Sequence, residues 1–308
     1  MTLQKLRYFC EIAKQGWNIS QAAKALHTSQ PGMSRQMHAL EKELGVRLFS
    51  RSRNRIDGLT GPGRAVLAMA TRILADTAKL KMLGTDYTDE TGGSLTVAAT
   101  HTQARYVLPN AVKRFTRAHP EVQLYLKQGI PSDLVRLVAN GDADISVSAM
   151  PSKLPDDVVM LPCFDTDRIV VVPVGHPLLK VRQLSLEHLA RYPLISYDEA
   201  FGMRESLLSA FHRAGLAPKV VINAVDSDVM KTYAAAGLGI AIVPEVAYNP
   251  RADRQLRALR ASHLLGKDTI CLCLRRHTYL RRFVFDFIQL FAPNVTEAAI
   301  TQAVDLHV

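Results

Sequence analysis

The sequence predicts an α/β protein in three parts: an N-terminal all-α winged helix-turn-helix, a long linker helix, and a C-terminal α/β domain of two subdomains. Two short helical patterns with a basic flank lie near the N-terminus, a long amphipathic run follows them, and strand and helix patterns then alternate. With 308 residues the chain can bury several cores. We expect domains at 1–60, 61–90 and 91–308, the last with subdomain I at about 91–163 and 267–300 and subdomain II at about 164–266.

Two helices joined by a tight turn are predicted between residues 18 and 40. Ser20 can cap the first helix and Ser29 the second, which has Pro31 in its first turn. A preceding helix would support the pair through an apolar face. The predicted buried residues of the three helices are, in order, Leu3, Leu6, Phe9, Ile12 and Ala13; Ala22, Ala23 and Leu26; and Met33, Met37 and Leu40.

The outer face of the second helix carries hydrogen-bonding side chains rather than the Glu/Lys pairs of a solvated face. A helix-turn-helix presents such residues, near the N-terminus of its second helix, to base edges and phosphates in the major groove of double-stranded DNA. An ordinary helical hairpin with a polar outer face is the alternative. The candidate DNA-binding residues of this element are Ser29, Gln30, Pro31, Ser34, Arg35 and His38.

A basic hairpin is predicted directly after this pair. Arg51, Arg53 and Arg55 alternate with small polar residues, and Asp57-Gly58 is a hairpin-turn signal. Alternation would place three guanidinium groups along one side of a β-ribbon, which suits a wing that lies on the phosphate backbone. The alternative, a charged solvated hairpin, explains poorly why the run lacks acidic residues.

The distribution of charge supports nucleic-acid binding. The net charge is +10, and residues 1–60 hold ten Lys/Arg against four acidic residues, a net of +6. More than half of the excess therefore lies in a fifth of the chain, which is typical of an electrostatic footprint for DNA.

A long helix is predicted after the Gly-Pro-Gly sequence at 61–63, and it would pair with its twin across a dimer. A DNA reader with one recognition helix generally needs such a twin, because two half-sites double the contacts. Packing of this helix on its own domain is the alternative. Its apolar positions are Val66, Ala70, Ile73, Leu74, Ala78, Leu80 and Met82, and a polar, Gly-rich linker follows at 86–93.

The C-terminal part alternates strands and helices, which implies parallel sheets with crossover helices. Ligands of open α/β folds bind beyond the carboxyl ends of strands and near helix N-termini. Thr100, Thr102 and Gln103 directly follow the strand at 94–99, so they are candidates for binding an anion. A plain capping turn that needs no ligand explains the same residues equally well.

Two further loops would face this one across a cleft between the subdomains. The first is Ala200–Arg204, and the second is Ala224–Asp228, where Ser227 or Asp228 could cap the following helix. No Ser/His/Asp set and no metal cluster is apparent from the spacing, so nothing in the sequence argues for catalysis.

The remaining features favour a cytoplasmic protein. No apolar run is long enough to span a bilayer, and the N-terminus carries charges where a signal peptide would be apolar. The four cysteines are scattered. Cys271 and Cys273 share one face of a predicted strand at a spacing unsuited to zinc, so we interpret the cysteines as core thiols.

The order of these parts resembles a LysR-type transcriptional regulator over the whole chain. The run TSQPGMSRQMHALEKELGVRLFSR is similar to the most typical segment of that family. Four effector-domain runs resemble its sulfur-assimilation branch, CysB and Cbl, more specifically. They are ATHTQARYVLPNAVKRF, VMLPC, DSDVMKTY and DFIQLFAP.

The resemblance implies a homodimeric or homotetrameric transcription factor that works with RNA polymerase and needs no cofactor. Its effector would be sulfate, acetylserine, adenylyl sulfate or an organosulfonate, bound in the cleft between the subdomains. Ala149 and Gly202 stand where the branch usually has threonines, so tight binding of bare sulfate is in doubt and a larger organosulfur ligand would use the room. The candidate effector-binding residues are Thr100, His101, Thr102, Gln103, Ser148, Ala149, Gly202 and Arg204.

Other classes and questions stay open. A solute-binding protein of the periplasmic type would share the second domain, but the basic N-terminal domain speaks against it. An enzyme fused to a DNA-binding domain is a further alternative, as is a LysR-type regulator of another pathway with a different small anionic effector.

Overall fold

The structure, a computed structural model, describes residues 1–52, 55–86, 92–151 and 153–304. The chain forms two compact units, Met1–Glu90 and Thr91–Val308, which are considered separately. The N-terminal unit contains the helices α1 (Leu3–Lys14), α2 (Ile19–Ala25), α3 (Gln30–Leu44) and α4 (Gly61–Asp86), with the strands β1 (Phe49–Ser52) and β2 (Arg55–Leu59) before α4. It is a winged helix-turn-helix followed by a long helix.

The core of this unit lies between α1, α2, α3 and the start of α4. Met33, Met37 and Leu40 are buried at helical spacing on α3, as predicted. The rings of Phe9 and Phe49 pack edge to face, with centroids 5.4 Å apart, and so tie α1 to the wing. Leu3 was expected in the core but is exposed, because it is the first residue of α1 and lies at the edge of the bundle.

The two helix caps match the prediction at one position and differ at the other. Ser29 caps α3, since its hydroxyl accepts a 3.2 Å hydrogen bond from the amide of Gly32. The cap of α2 is Asn18, whose side chain accepts from the amide of Gln21 at 3.1 Å. The predicted cap, Ser20, lies inside α2, which begins two residues earlier than expected.

The wing is an antiparallel pair, but its turn is not where the sequence signal placed it. Asp57 and Gly58 lie inside β2, and the ladder closes at the pair Ser52–Arg55. Arg51 is on β1 and Arg55 on β2, so alternation along one strand does not place them on one side. The third predicted phosphate contact, Arg53, lies outside the described residues.

Gly63 lets α4 approach the segment before the wing. A Cβ atom at this position would lie 2.0 Å from the carbonyl oxygen of Leu48. The hydroxyl of Thr60 accepts from the amide of Gly63 at 2.9 Å and donates to the carbonyl of Arg47, so it caps α4 and holds the same segment. The Gly-Pro-Gly sequence thus serves a close backbone contact at the start of α4.

The first part of the long helix α4 packs on its own domain, which was the alternative interpretation of its apolar stripe. Val66, Ile73 and Leu74 pack against the core around the buried Ala70. Leu80 is 67% exposed further along, and the side chains of Ala78 and Met82 lie outside the described residues. In the part of the chain that the structure describes, no helix has the length and apolarity that a membrane span requires.

The C-terminal unit is built on one mixed sheet, whose described strands run in the order β4-β3-β5-β11-β6-β9-β7-β8, with β10 paired to β6. Its strands are β3 (Gly93–Ala99), β4 (Val122–Gln128), β5 (Ile145–Ala149), β6 (Val158–Pro173), β7 (Leu194–Tyr197), β8 (Val220–Ala224), β9 (Ile240–Pro244), β10 (Leu256–Arg260) and β11 (Lys267–Arg275). Its helices are α5 (Leu108–Ala118), α6 (Pro131–Asn140), α7 (Leu186–Ala190), α8 (Gly202–Arg213), α9 (Ser227–Ala235), α10 (Ser262–Leu265), α11 (Arg282–Phe291) and α12 (Glu297–Val304).

Parallel pairing was expected throughout and holds in part. β3 pairs in parallel with β4 and β5, and β7 pairs in parallel with β8 and β9. β6 and β11 are antiparallel to their neighbours.

β6 joins the two halves of the unit, which we call subdomains I and II. It pairs with β11 up to Asp167 and with β9 and β10 from Arg168 onward. At this change of partners the buried Arg168 donates to Asp268 (Nε to Oδ2, 2.8 Å) and to the carbonyl of Leu265. The core of subdomain I contains Phe115 and Phe287, and the cores of subdomain II lie on the two faces of β7 and β9.

Candidate functional site

The outer face of α3 carries the predicted DNA-binding residues at the surface of the N-terminal unit. Gln30, Pro31, Arg35 and His38 are exposed, Ser29 is the cap, and Ser34 is half-buried. Arg35 folds back, with Nε donating to the carbonyl of Pro31 at 3.4 Å. These side chains lie opposite the buried methionines, so the helix can place them in a groove while its other face stays packed.

The recognition helix and the wing line one recess with the start of α2. Gln30 and Ser34 contribute from α3, Arg51 from β1 and Ile56 from β2. The structure therefore brings three of the predicted DNA-binding residues to a single concave surface. Asn18 and Ser20 at the start of α2 complete it.

Glu41 connects the recognition helix to the wing, and sequence analysis did not identify it. Its Oε1 accepts from the amides of Leu48 at 2.8 Å and Phe49 at 3.3 Å. Its Oε2 lies 3.6 Å from Nδ1 of His38 and 4.0 Å from a guanidinium nitrogen of Arg51. Glu43 lies two residues further along the same helix and pairs with Lys5 instead, so the sequence alone does not single out Glu41.

In the C-terminal unit, the predicted anion-binding run lies at the carboxyl end of β3. Thr100, Thr102 and Gln103 are all buried. A π-helical turn, Gln103–Val107, follows and leads into α5. Such turns are rare and are frequent at functional sites. The run is thus more than an exposed capping turn, since its polar side chains point into the protein.

The hydroxyl of Thr102 contacts two residues of subdomain II. It lies 2.9 Å from Oγ of Ser227 and 3.2 Å from Oη of Tyr197, and these two hydroxyls also bond each other. Ser227 or Asp228 was expected to cap α9, but the cap is Asp226, whose side chain accepts from the amide of Asp228. Tyr197 was not identified from the sequence.

Tyr197 is a neutral hydrogen-bond donor. Burial raises the pKa of its phenol to about 12, against the opposing effect of its hydrogen bonds to Ser227 and Thr102. Near neutral pH the cluster of Thr102, Tyr197 and Ser227 therefore consists of three uncharged hydroxyls.

The two positions that depart from the sulfur-assimilation pattern lie near each other. Gly202 is the first residue of α8, and a Cβ there would lie 3.4 Å from the carbonyl oxygen of Met150, the residue after Ala149. Ser148 donates to the carbonyl of Ala149 at 2.9 Å. Arg204 donates to the side chain of Asn223 and to the carbonyl of Tyr197, so it supports the wall of the cleft.

A second set of polar contacts bridges the subdomains beside the hydroxyl cluster. Tyr106 donates to Asp228 at 2.6 Å and accepts from Nζ of Lys231 at 3.0 Å, while Arg105 pairs with Asp228 at 3.1 Å. Burial and the bond to Asp228 raise the pKa of Tyr106. Burial disfavours the charged form of Lys231, but bonds to Tyr106, Asp253 and Asp228 outweigh it, so its pKa is raised.

Two buried polar atoms in this region have no hydrogen-bond partner among the described residues. They are Nδ1 of His101 and Oε1 of Gln103. Unsatisfied buried polar atoms are uncommon, and a ligand is one explanation for them. Uncharged hydroxyl and amide groups from both subdomains thus lie close together here, and such donors are able to bind a small oxyanion.

Metal or thiol chemistry has little support among the described residues. No group of three His, Cys, Asp or Glu side chains there is placed to hold a metal ion. The four cysteines are free and buried, and burial raises the pKa of Cys163 and Cys273 to about 12. Their thiols are therefore protonated and unreactive.

Two family models match the chain. "Bacterial regulatory helix-turn-helix protein, lysR family" matches residues 3–64, and "LysR substrate binding domain" matches residues 88–295. Among curated proteins, the regulator CysB of Burkholderia cenocepacia is 42% identical over 98% of this chain and 97% of its own length. SsuR of the same organism is 42% identical over 97% of each chain, and Cbl of Escherichia coli is 40% identical over 94% and 92%.

Solved structures of LysR-type regulators share the fold of this chain. The cofactor-binding domain of Cbl is 38% identical, with a TM-score of 0.67, and covers 71% of this chain and 96% of that domain. Full-length CbnR in complex with its target DNA shares the fold at 23% identity, with a TM-score of 0.67 over 94% of this chain and 99% of that one.

Proposed function

Because this chain belongs to the LysR family of bacterial transcriptional regulators, we propose that it controls sulfur assimilation genes in response to a small sulfur-linked effector. The observation that carries the pathway is the near-full-length similarity to CysB, SsuR and Cbl at 40% identity or more. We place its action in the cytoplasm, where operator DNA and RNA polymerase are its partners. A regulator of another pathway with a different small anionic effector is the second candidate.

On DNA, the outer face of α3 contacts the bases of the operator, and the wing contacts the phosphate backbone of the DNA. Gln30, Ser34 and Arg35 contact base edges or position the helix, and Ser29, Pro31 and His38 lie at the same surface. Arg51, Arg53 and Arg55 contact phosphates. The shared recess of Gln30, Ser34 and Arg51 supports this division, because it joins the helix and the wing in one surface.

Self-association follows from α4. Met69 and Leu80 are 65% and 67% exposed on this helix, and apolar side chains at such exposure favour pairing with a second copy. A homodimer places two recognition helices on two half-sites. A homotetramer is the larger assembly that we propose from the family resemblance, and light scattering of the purified chain measures it.

The effector site is the cleft of the C-terminal unit, around Thr100, His101, Thr102 and Gln103. Ala149 and Gly202 supply no hydroxyl donors, and removing a donor to an anion typically costs about 1–3 kcal/mol. We therefore propose an organosulfonate ahead of bare sulfate, with acetylserine and adenylyl sulfate as the other candidates. Ser148 and Arg204 support the walls of the same cleft.

The test is a ligand panel on the full-length protein, read first by thermal shift and then by calorimetry. The panel contains sulfate, thiosulfate, O-acetylserine, N-acetylserine, adenylyl sulfate and several alkane- and arylsulfonates. We expect binding of a sulfonate that is lost in Thr102→Ala. Equal affinity for sulfate would contradict the choice of ligand, and a flat response to the whole panel would move the regulator outside sulfur metabolism.

A further inference from the structure

The hydroxyls of Thr102, Tyr197 and Ser227 form a closed triangle inside the C-terminal unit. Each lies within hydrogen-bond distance of the other two, and the three residues are 5%, 3% and 0% exposed. Thr102 comes from subdomain I, and the other two come from subdomain II. The triangle therefore spans the cleft proposed for the effector.

The proton count of this triangle makes it adaptable. Each hydroxyl has one proton and two lone pairs, so three protons serve three contacts. Hydroxyl protons of serine and threonine rotate freely, and the phenol proton turns about its C–O bond. All three can be directed at one acceptor group without any side chain changing its charge.

We propose that Tyr197 and Ser227 are effector-binding residues, which together with Thr102 form a three-hydroxyl site for the sulfonate group of the ligand. This inference rests on the proposed function and identifies the contacts from subdomain II. Ser227 supplies a hydroxyl to a cleft in which Ala149 and Gly202 have none. The ligand's oxygens replace the contacts between hydroxyls, and the bound group is held from both subdomains.

The charges around the triangle favour a monoanion. Asp226 precedes Ser227, caps α9, and adds to the effects that raise the pKa of Tyr197. Asp228 follows Ser227 but is paired with Arg105 and Lys231. An unneutralised carboxylate near uncharged donors repels a dianion more than a monoanion. A sulfonate with one negative charge fits this environment better than sulfate with two.

The experiment is calorimetry on the full-length protein with sodium ethanesulfonate and sodium sulfate as probes. The variants are Ser227→Ala and Tyr197→Phe, and the matched control is Thr232→Ala on the same helix. Thr232 is exposed, and its hydroxyl donates to the carbonyl of Asp228. We expect each variant to bind ethanesulfonate about tenfold to a hundredfold more weakly, since it loses one hydrogen bond to a charged group. The control keeps the affinity of the wild type, which is higher for ethanesulfonate than for sulfate.

Several outcomes would overturn the inference. If ethanesulfonate binds the wild type and both variants equally, the cleft still holds the effector but Tyr197 and Ser227 do not contact it. Tighter binding by Ser227→Ala would mean that Ser227 competes with the ligand for Thr102. If Tyr197→Phe fails to fold by circular dichroism, Ser227→Ala alone decides. A wild type that binds no sulfur compound of the larger panel contradicts the proposed function as well.

Discussion

The phenol of Tyr106 donates a 2.6 Å hydrogen bond to Asp228 and so links the π-helical turn of subdomain I to the first turn of α9 in subdomain II. Lys231, one turn further along α9, donates to the phenol oxygen of Tyr106 and to both carboxylate oxygens of Asp253. The π-helical turn that begins with Gln103 thus also contains Tyr106, whose hydrogen bonds connect the two subdomains. A ligand bound at the site proposed around Thr102 and Gln103 would therefore act on the element that connects the two subdomains.

Tyr106→Phe should therefore destabilise the C-terminal unit. The variant leaves Asp228 and Lys231 without one partner each, and the loss of such a hydrogen bond to charged groups costs about 1–3 kcal/mol. Urea unfolding of the full chain measures it, with Tyr125→Phe as the control because that tyrosine is exposed on β4. Equal stability of the two variants would show that the bridge does not hold the subdomains.

Gly63→Ala should destabilise the N-terminal unit, because the new Cβ would lie 2.0 Å from the carbonyl oxygen of Leu48 and the backbone has to move. The matched control is Gly61→Ala at the start of the same helix, where a Cβ meets no atom within 4 Å. Alanine there is expected to be neutral or to stabilise by up to about 1 kcal/mol. Thermal unfolding and operator affinity are the two measurements, and similar values for both variants would contradict the close approach.

Local patterns predicted most of the fold. The stripe Met33, Met37 and Leu40, the cap Ser29 and the strand at 94–99 all follow from spacing within a few residues. The errors were of two kinds. Asn18 and Ser20 are both good caps, and the sequence does not say which begins the helix. Asp57-Gly58 signals a turn, but pairing within the wing places it inside a strand.

The loops on both sides of the candidate site were predicted, since Ala224–Asp228, which contains Ser227, was expected to face the run after β3, but the hydroxyl contacts between them were not. Thr102 follows a predicted strand, and so its place at a carboxyl end was available from the sequence. Its partners Tyr197 and Ser227 are 95 and 125 positions away, and no periodicity links them. Glu41 was missed for a related reason, since its partners are backbone amides of the wing, which leave no pattern in the sequence.

Arg35→Ala should lower operator affinity and relax sequence preference. If Arg35 bonds a guanine through two nitrogens, its loss costs about 1–3 kcal/mol at that base pair. The control is Lys42→Ala, which removes one positive charge from the exposed C-terminal turn of the same helix. Gel-shift titrations against the operator and its single-base variants report both effects. Unchanged selectivity in Arg35→Ala would overturn the assignment of this residue to base readout.

Arg51→Ala should weaken binding to all DNA sequences alike. Loss of one phosphate contact reduces the slope of log K against log salt by about one unit. An Arg51→Ala protein with the salt slope of the wild type would exclude a phosphate contact by Arg51.

Glu41→Ala should have an effect different from that of Arg51→Ala, since the Glu41 carboxylate accepts hydrogen bonds from the amides of Leu48 and Phe49 rather than contacting DNA. We expect this variant to lower the stability of the wing and the affinity for DNA together.

The stability of the C-terminal unit should fall as the pH drops below 7, in part through His176. Burial lowers the pKa of its imidazole, whose Nδ1 accepts from the amide of Leu178 at 3.2 Å and whose ring lies 4.5 Å from that of Tyr192. Below the ordinary histidine pKa of about 6.5, the unfolded chain takes up the proton more readily than the folded one. The stabilising effect of neutral His176 is therefore complete above that pH and is lost below it.

His176→Asn separates this effect from the acid sensitivity of the rest of the chain. The asparagine carbonyl can accept from the amide of Leu178 but does not titrate, so the melting temperature should fall less between pH 7 and pH 5 than it does in the wild type. At pH 8 both proteins have a neutral side chain at this position, and that pair of measurements is the control for packing losses. Parallel curves for the two proteins from pH 8 to pH 5 would show that His176 does not contribute to acid sensitivity.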